Sequence, residues 1–139
     1  MFAPKLMIFF VVVVLLAIPS SINAYLSTFQ FEGQFECNKP SFHYRIVVYE
    51  NDNIFDDAIG HTDRMYSREP HMYNVSASDT GDGNNFYEIY FQIVHDCDDR
   101  NLVREYYHDM GEYKVKDGHT RNITNILLTN KGKLTKDYI

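Results

Sequence analysis

Residues 28–36 read Thr-Phe-Gln-Phe-Glu-Gly-Gln-Phe-Glu, and that alternation constrains the fold more than any other feature. Phe29, Phe31 and Phe35 share one phase with Gly33, while Thr28, Gln30, Glu32, Gln34 and Glu36 take the other. A period of two places successive side chains on opposite faces of an extended chain, so this segment is a half-buried strand and not a helix. Residues 86–95 repeat the pattern more strongly, with Tyr87, Ile89, Phe91 and Ile93 on one face. The chain's two cysteines, Cys37 and Cys97, each continue the apolar phase just past the last apolar residue of one of these strands. A disulfide between strands or between sheets requires that agreement of phase.

The remaining segments extend the same reading. After the turn residues Asn38-Lys39-Pro40, residues 44–50 form a β-branched strand. Shorter strands are predicted at 58–63, 71–77, 102–108 and 121–129, with a short helix around 98–104. Asn51 to Asp57 is an acidic loop, and Asp79 to Asn85 is rich in Gly, Asp and Asn, the residues that turns demand. No long amphipathic helical run and no internal repeat is present. The expected fold is therefore all-β, a β-sandwich of about seven or eight strands over residues 25–130, with residues 131–139 as a flexible C-terminal tail. A length of 139 residues, 45% hydrophobic and 23% charged, fits one globular domain and argues against disorder.

Residues 1–24 have a different character. Lys5 precedes thirteen uninterrupted apolar residues, Leu6 to Ile18, followed by Pro19-Ser20-Ser21 and a small residue, Ala24. This three-part order is that of a secretory signal peptide. The alternative, a membrane anchor, fails on length: thirteen helical residues span about 20 Å against a hydrocarbon core of about 30 Å. Removing 24 residues from 139 leaves 115, and losing Lys5 moves the formal charge from −6 to −7. The mature protein is thus expected to be secreted and extracellular. Asn74-Val75-Ser76 and Asn122-Ile123-Thr124 then become usable N-glycosylation sequons. Cys37 and Cys97 meet an oxidising compartment and are expected to pair. Closing a loop of that length stabilises by about 4 kcal/mol in the chain-entropy account.

Several chemistries are excluded or weighed on residue types. The acidic balance, 13 Lys plus Arg against 19 Asp plus Glu, excludes a nucleic-acid footprint. Six scattered histidines lack zinc-ligand spacing. Asp52, Asp56, Asp57, Asp79 and Asp82 supply oxygen ligands suited to Ca²⁺, but without EF-hand spacing, and solvated loops with aspartate favoured in turns are the better explanation. His95 and Cys97 lie two apart on one face, as a Cys–His nucleophile would, but a disulfide removes the thiol.

Taken in order, these features resemble the nematode transthyretin-like family. The matching residues are Gly33, Cys37-Asn38-Lys39-Pro40, Val47-Val48-Tyr49-Glu50-Asn51-Asp52, Asp56-Asp57, Gly60 and Thr62, then Ile93-Val94-His95-Asp96-Cys97 and Ile126-Leu127-Leu128. Together they span about residues 28–129. The chain departs from the family where a glycine would separate Asn38 from Lys39, in the stretch 64–85, and in lacking a second cysteine pair. The resemblance implies a transthyretin-like (prealbumin-like) sandwich of two antiparallel sheets. It implies that Cys37 lies beside Cys97 at one end, with the loops 51–57 and 79–85 together at the other. The fold's enzymatic relatives, the hydroxyisourate hydrolases, end in Tyr-Arg-Gly-Ser, whereas this chain ends Lys136-Asp137-Tyr138-Ile139.

The tyrosines carry the functional expectation. Eleven tyrosines exceed what one face per strand can bury, and Tyr49 and Tyr90 fall on the phase opposite the core. Tyrosine joins contact area to a polar tip and is favoured at recognition surfaces. The expected protein is therefore a secreted, non-enzymatic binding protein without a cofactor, whose partner is a protein, a lipid or a small apolar ligand. The alternatives are a hydrolase of the hydroxyisourate line and a structural component of an extracellular matrix or cuticle.

Overall fold

A computed structural model describes residues 25–52, 55–81 and 85–137. Residues 1–24, expected as a signal peptide, and Asp82 lie outside the described residues. Within them the chain is all-β, with ten strands and no helix. In order these are β1 (Leu26–Glu36), β2 (Ser41–Glu50), β3 (Asp57–His61), β4 (Met65–Arg68) and β5 (Met72–Thr80). There follow β6 (Phe86–His95), β7 (Arg104–Lys114), β8 (Gly118–Ile123), β9 (Ile126–Leu127) and β10 (Lys133–Leu134). They form a four-stranded sheet, in which β1 lies between β5 and β8 and also pairs with β9, and a six-stranded sheet ordered β10-β7-β6-β2-β3, with β4 also on β2. Two sheets sharing one core are consistent with a β-sandwich.

The alternation read from the sequence sets which faces meet. Phe29, Phe31 and Phe35 of β1 are buried, as are Tyr87, Ile89, Phe91 and Ile93 of β6. Phe31 meets Phe91 edge-on with ring centres 5.2 Å apart, and Phe29 meets Tyr87 at 5.4 Å, so aromatic edges join the two sheets. Edge-to-face packing puts a ring's positive edge on a negative face, which adds to the burial term.

Five expectations need correction. The sheets are not both antiparallel, because β8 and β9 run parallel to β1. The chain leaves β7 in the larger sheet and crosses to the smaller one, which brings β8 in along β1 instead of folding back on it. The helix expected around 98–104 is a turn: the Asp98 carboxylate accepts from the Arg100 and Leu102 amides, and Asn101 takes φ 57°. Side-chain capping of this kind competes with helix formation. The segment 121–129 is split into β8 and β9. There are ten strands, not seven or eight, because β4 and two-residue pieces add to the count. Residues 131–139, expected as a tail, contribute β10, where Lys133 pairs with Glu105.

Cys37 and Cys97 form a disulfide, with Cα atoms 6.1 Å apart, at one end of the molecule. The end of β2 pairs with the start of β6, Glu50 opposite Ile89, so the chain leaves β2 and enters β6 at the other end.

Candidate functional site

The outward phase of the larger sheet gathers the tyrosines. Tyr49 of β2 and Tyr90 of β6 pair across neighbouring strands. Their rings stack with centres 5.3 Å apart and planes inclined by 14°. Tyr107 of β7 extends the row, its ring centre 6.0 Å from that of Tyr90. Tyr49 and Tyr90 are half-buried, whereas Tyr107 is 48% exposed.

Two β-bulges flank this level of the sheet. On β3, Val48 pairs with Gly60 but Tyr49 with Ala58, leaving Ile59 as the extra residue. On β7, Ile89 pairs with Gly111 but Tyr90 with Asp109, leaving Met110 extra. Ile59 and Met110 both pack against the core. A bulge bends and twists its strand and re-aims the side chains beside it. Here the bulged strands flank the central pair that carries both stacked tyrosines.

Polar groups frame the row. The Tyr90 hydroxyl donates to Asp56 Oδ2 at 2.6 Å. Its pKa is raised, by burial first and then by the Asp56 carboxylate, so it stays a donor throughout the physiological range. Beyond it, Gln92 Nε2 donates to Glu105 Oε1 at 2.6 Å, and the Tyr107 hydroxyl donates to the same oxygen at 3.0 Å. Lys133 Nζ lies 3.0 Å from Glu105 Oε2 and 5.9 Å from the Tyr107 ring centre. The Lys133 ammonium holds the Glu105 carboxyl below its ordinary value, so Glu105 is ionised although buried. Farther along the face, Arg45 Nε is buried with no hydrogen-bond partner among the described residues.

Tyr107, Gln92, Glu105 and Lys133 were not among the candidate residues read from the sequence. Tyr107 belonged to the tyrosine surplus, but its alignment with Tyr90 depends on a bulge that no local pattern announces. Lys133 lies in a segment that composition marks as tail.

Four of the five candidate aspartates, Asp52, Asp56, Asp57 and Asp79, are among the described residues. Asp56 Oδ1 accepts from the Asp52 amide at 3.2 Å, closing a turn, and Asp57 opens β3 opposite Glu50. Asp79 Oδ1 accepts from the Thr80 amide at the end of β5. Among the described residues, no group of three or more His, Cys, Asp or Glu side chains is arranged to hold a metal ion.

At the opposite end, the residues that carry the family resemblance brace the disulfide. Lys39 Nζ donates to the Asp96 carbonyl and to Asn101 Oδ1, and Asp96 Oδ1 accepts from the His43 amide at 2.7 Å. Asp98 Oδ2 takes the Arg104 guanidinium at 2.5 Å, which lowers the Asp98 pKa to about 2. His95 is fully buried with its Nε2 against the Lys131 carbonyl, and burial lowers its pKa to about 4. A neutral, enclosed histidine beside a closed disulfide is a structural arrangement, and Cys97 holds no free thiol.

The sequons differ in setting. Asn74 is exposed on β5, whereas Asn122 is half-buried on β8 and its Nδ2 donates to the Tyr113 hydroxyl at 2.9 Å. Among the described residues, no helix is long and apolar enough to cross a membrane. The chain matches no protein-family model and no curated protein.

Proposed function

We propose that this chain is a secreted, non-enzymatic recognition protein, a divergent transthyretin-like sandwich of the nematode type. It contacts an extracellular protein through the Tyr49–Tyr90–Tyr107 face. The observation that carries this reading is the tyrosine row itself, three rings side by side on adjacent strands of one sheet face. Rings locked by stacking lose little conformational freedom on binding, and their hydroxyls supply directional contacts. The surrounding charges, Asp56, Glu105, Lys133 and Arg45, give the face a polar rim suited to selecting charge on a partner. A sheet face is broad and open, which fits a protein surface better than a small molecule needing enclosure.

The test is binding to the secreted, disulfide-intact protein by partners captured from nematode extracellular fluid. Tyr49→Ala combined with Tyr90→Ala should weaken capture of the same partner about tenfold to a hundredfold, the range for truncating central aromatic anchors. Thr28→Ala, on the other sheet, should leave it unchanged. Equal capture by both variants removes the face from consideration. Turnover of purine-derived ureides by the purified protein would replace recognition with the hydrolase reading.

A further inference from the structure

We propose that Asn74 carries an N-linked glycan in the folded protein and Asn122 does not, so that sugar covers the outer face of the smaller sheet. This rests on the secretory reading above and assigns each of the two sheet faces a different use.

The two sequons are equal as sequence but opposite in structure. Asn74 stands on the outward phase of β5, opposite Glu32 of β1, and is exposed. Its Oδ1 accepts from Gln30 Nε2, and its Nδ2, the atom that bears the sugar, donates to no described residue. Ser76, the hydroxyl residue of the sequon, is exposed beside it and donates to Gln30 Oε1 at 2.9 Å. Gln30 and Ser76 also line an open depression of about 320 Å³ that reaches to His119. A glycan leaving Asn74 displaces nothing in the fold.

Asn122 faces the other way. It pairs in register with Phe31, which is in the core, and its side chain is held at both ends. Nδ2 donates to the Tyr113 hydroxyl, and Oδ1 accepts from Thr124 Oγ1 at 2.5 Å. Tyr113 in turn packs edge-on against Phe29 and Phe31, with ring centres 5.6 and 5.7 Å away. A sugar on Asn122 Nδ2 would have to occupy the space that Tyr113 fills and so open the core beneath it.

The position also suits a cover. Ile123, 68% exposed, and Met72, 60% exposed, are the apolar side chains on this outer face nearest Asn74 in register. A bulky hydrated glycan there shields apolar surface, while the tyrosine face on the far side stays open.

The full chain with its leader, made in a eukaryotic secretory host and collected from the medium, tests this. Peptide-N-glycosidase digestion in heavy-oxygen water converts each glycosylated asparagine to a labelled aspartate that peptide mass spectrometry locates. Label at Asn74 alone is expected. Label at Asn122, or secreted protein carrying no label, overturns the assignment while leaving secretion standing. Protein retained in the cell with residues 1–24 attached overturns both. On gels, Asn74→Gln or Ser76→Ala should migrate with enzyme-treated wild type, and Asn122→Gln with untreated wild type. The wild-type label decides the matter even if a variant fails to fold.

Discussion

At Gly33 the first strand passes close against the backbone of Thr124. A Cβ there would be driven into the Thr124 carbonyl oxygen, which also accepts from the Tyr73 hydroxyl at 2.7 Å. Gly33→Ala must therefore shift backbone against backbone and should cost about 2–3 kcal/mol, read as a lower urea midpoint at unchanged slope. The glycine was visible in the sequence as a gap in the phenylalanine phase. Its reason was not, because Thr124 lies some ninety residues further along the chain. His95 gives the second residue-scale expectation. Its pKa falls from 6.5 to about 4 on folding, so the unfolded chain binds the proton more readily. Stability is complete above pH 6.5, declines as pH falls from there to about 4, and is then constant for this group. At about 1.4 kcal/mol per unit the loss is on the order of 3 kcal/mol. Urea titrations at neutral and mildly acidic pH should show that slope, and His95→Leu should flatten it. Asp98, held at about 2, adds a further loss only below about pH 4, as its pairing with Arg104 is protonated away.

Among the elements, β10 has the least sequence signal and the clearest consequence. Two residues of a basic segment close the edge of β7, and the Thr135 amide donates to the Val103 carbonyl alongside them. A chain ended after Gly132 keeps the Lys131 peptide carbonyl that His95 uses but loses this strip. Amide hydrogen exchange should then quicken in the first residues of β7, around Arg104–Tyr106, while β6 stays protected; uniform exchange across both strands would show that β10 closes nothing. The long strands β1 and β6 were legible because each repeats its period over nine residues or more, and β2 because residues 44–50 form a β-branched run. β4 was not, since Met65–Arg68 is too short to display a period. β8 and β9 were read as one element because Thr124-Asn125 does not look like a break, yet Thr124 is where the chain yields to Gly33. The bulges at Ile59 and Met110 were equally hidden, being decided by how the sheet bends over its core.

At the scale of the molecule, the end that holds the disulfide is built differently from the other. The disulfide end is braced by Lys39, Asp96, Asp98 and Arg104, and it closes a separation of 60 residues. Replacing Cys37 and Cys97 together by Ala should lower stability by about 4 kcal/mol while leaving the strand pattern in place. An unchanged thermal midpoint would show that packing alone holds that end. The sequence by itself determined the all-β class, the inward faces of the main strands and the matched phase of the two cysteines. Those properties follow from a period of two, which is local and survives in any strand that hides one face. Only the tertiary structure decided that β8 runs parallel to β1, that Tyr107 joins Tyr49 and Tyr90, and that Asn122 turns inward while Asn74 turns out. Such outcomes depend on register and crossover between segments far apart in the chain, where the free energy of packing one whole sheet on another outweighs local pattern.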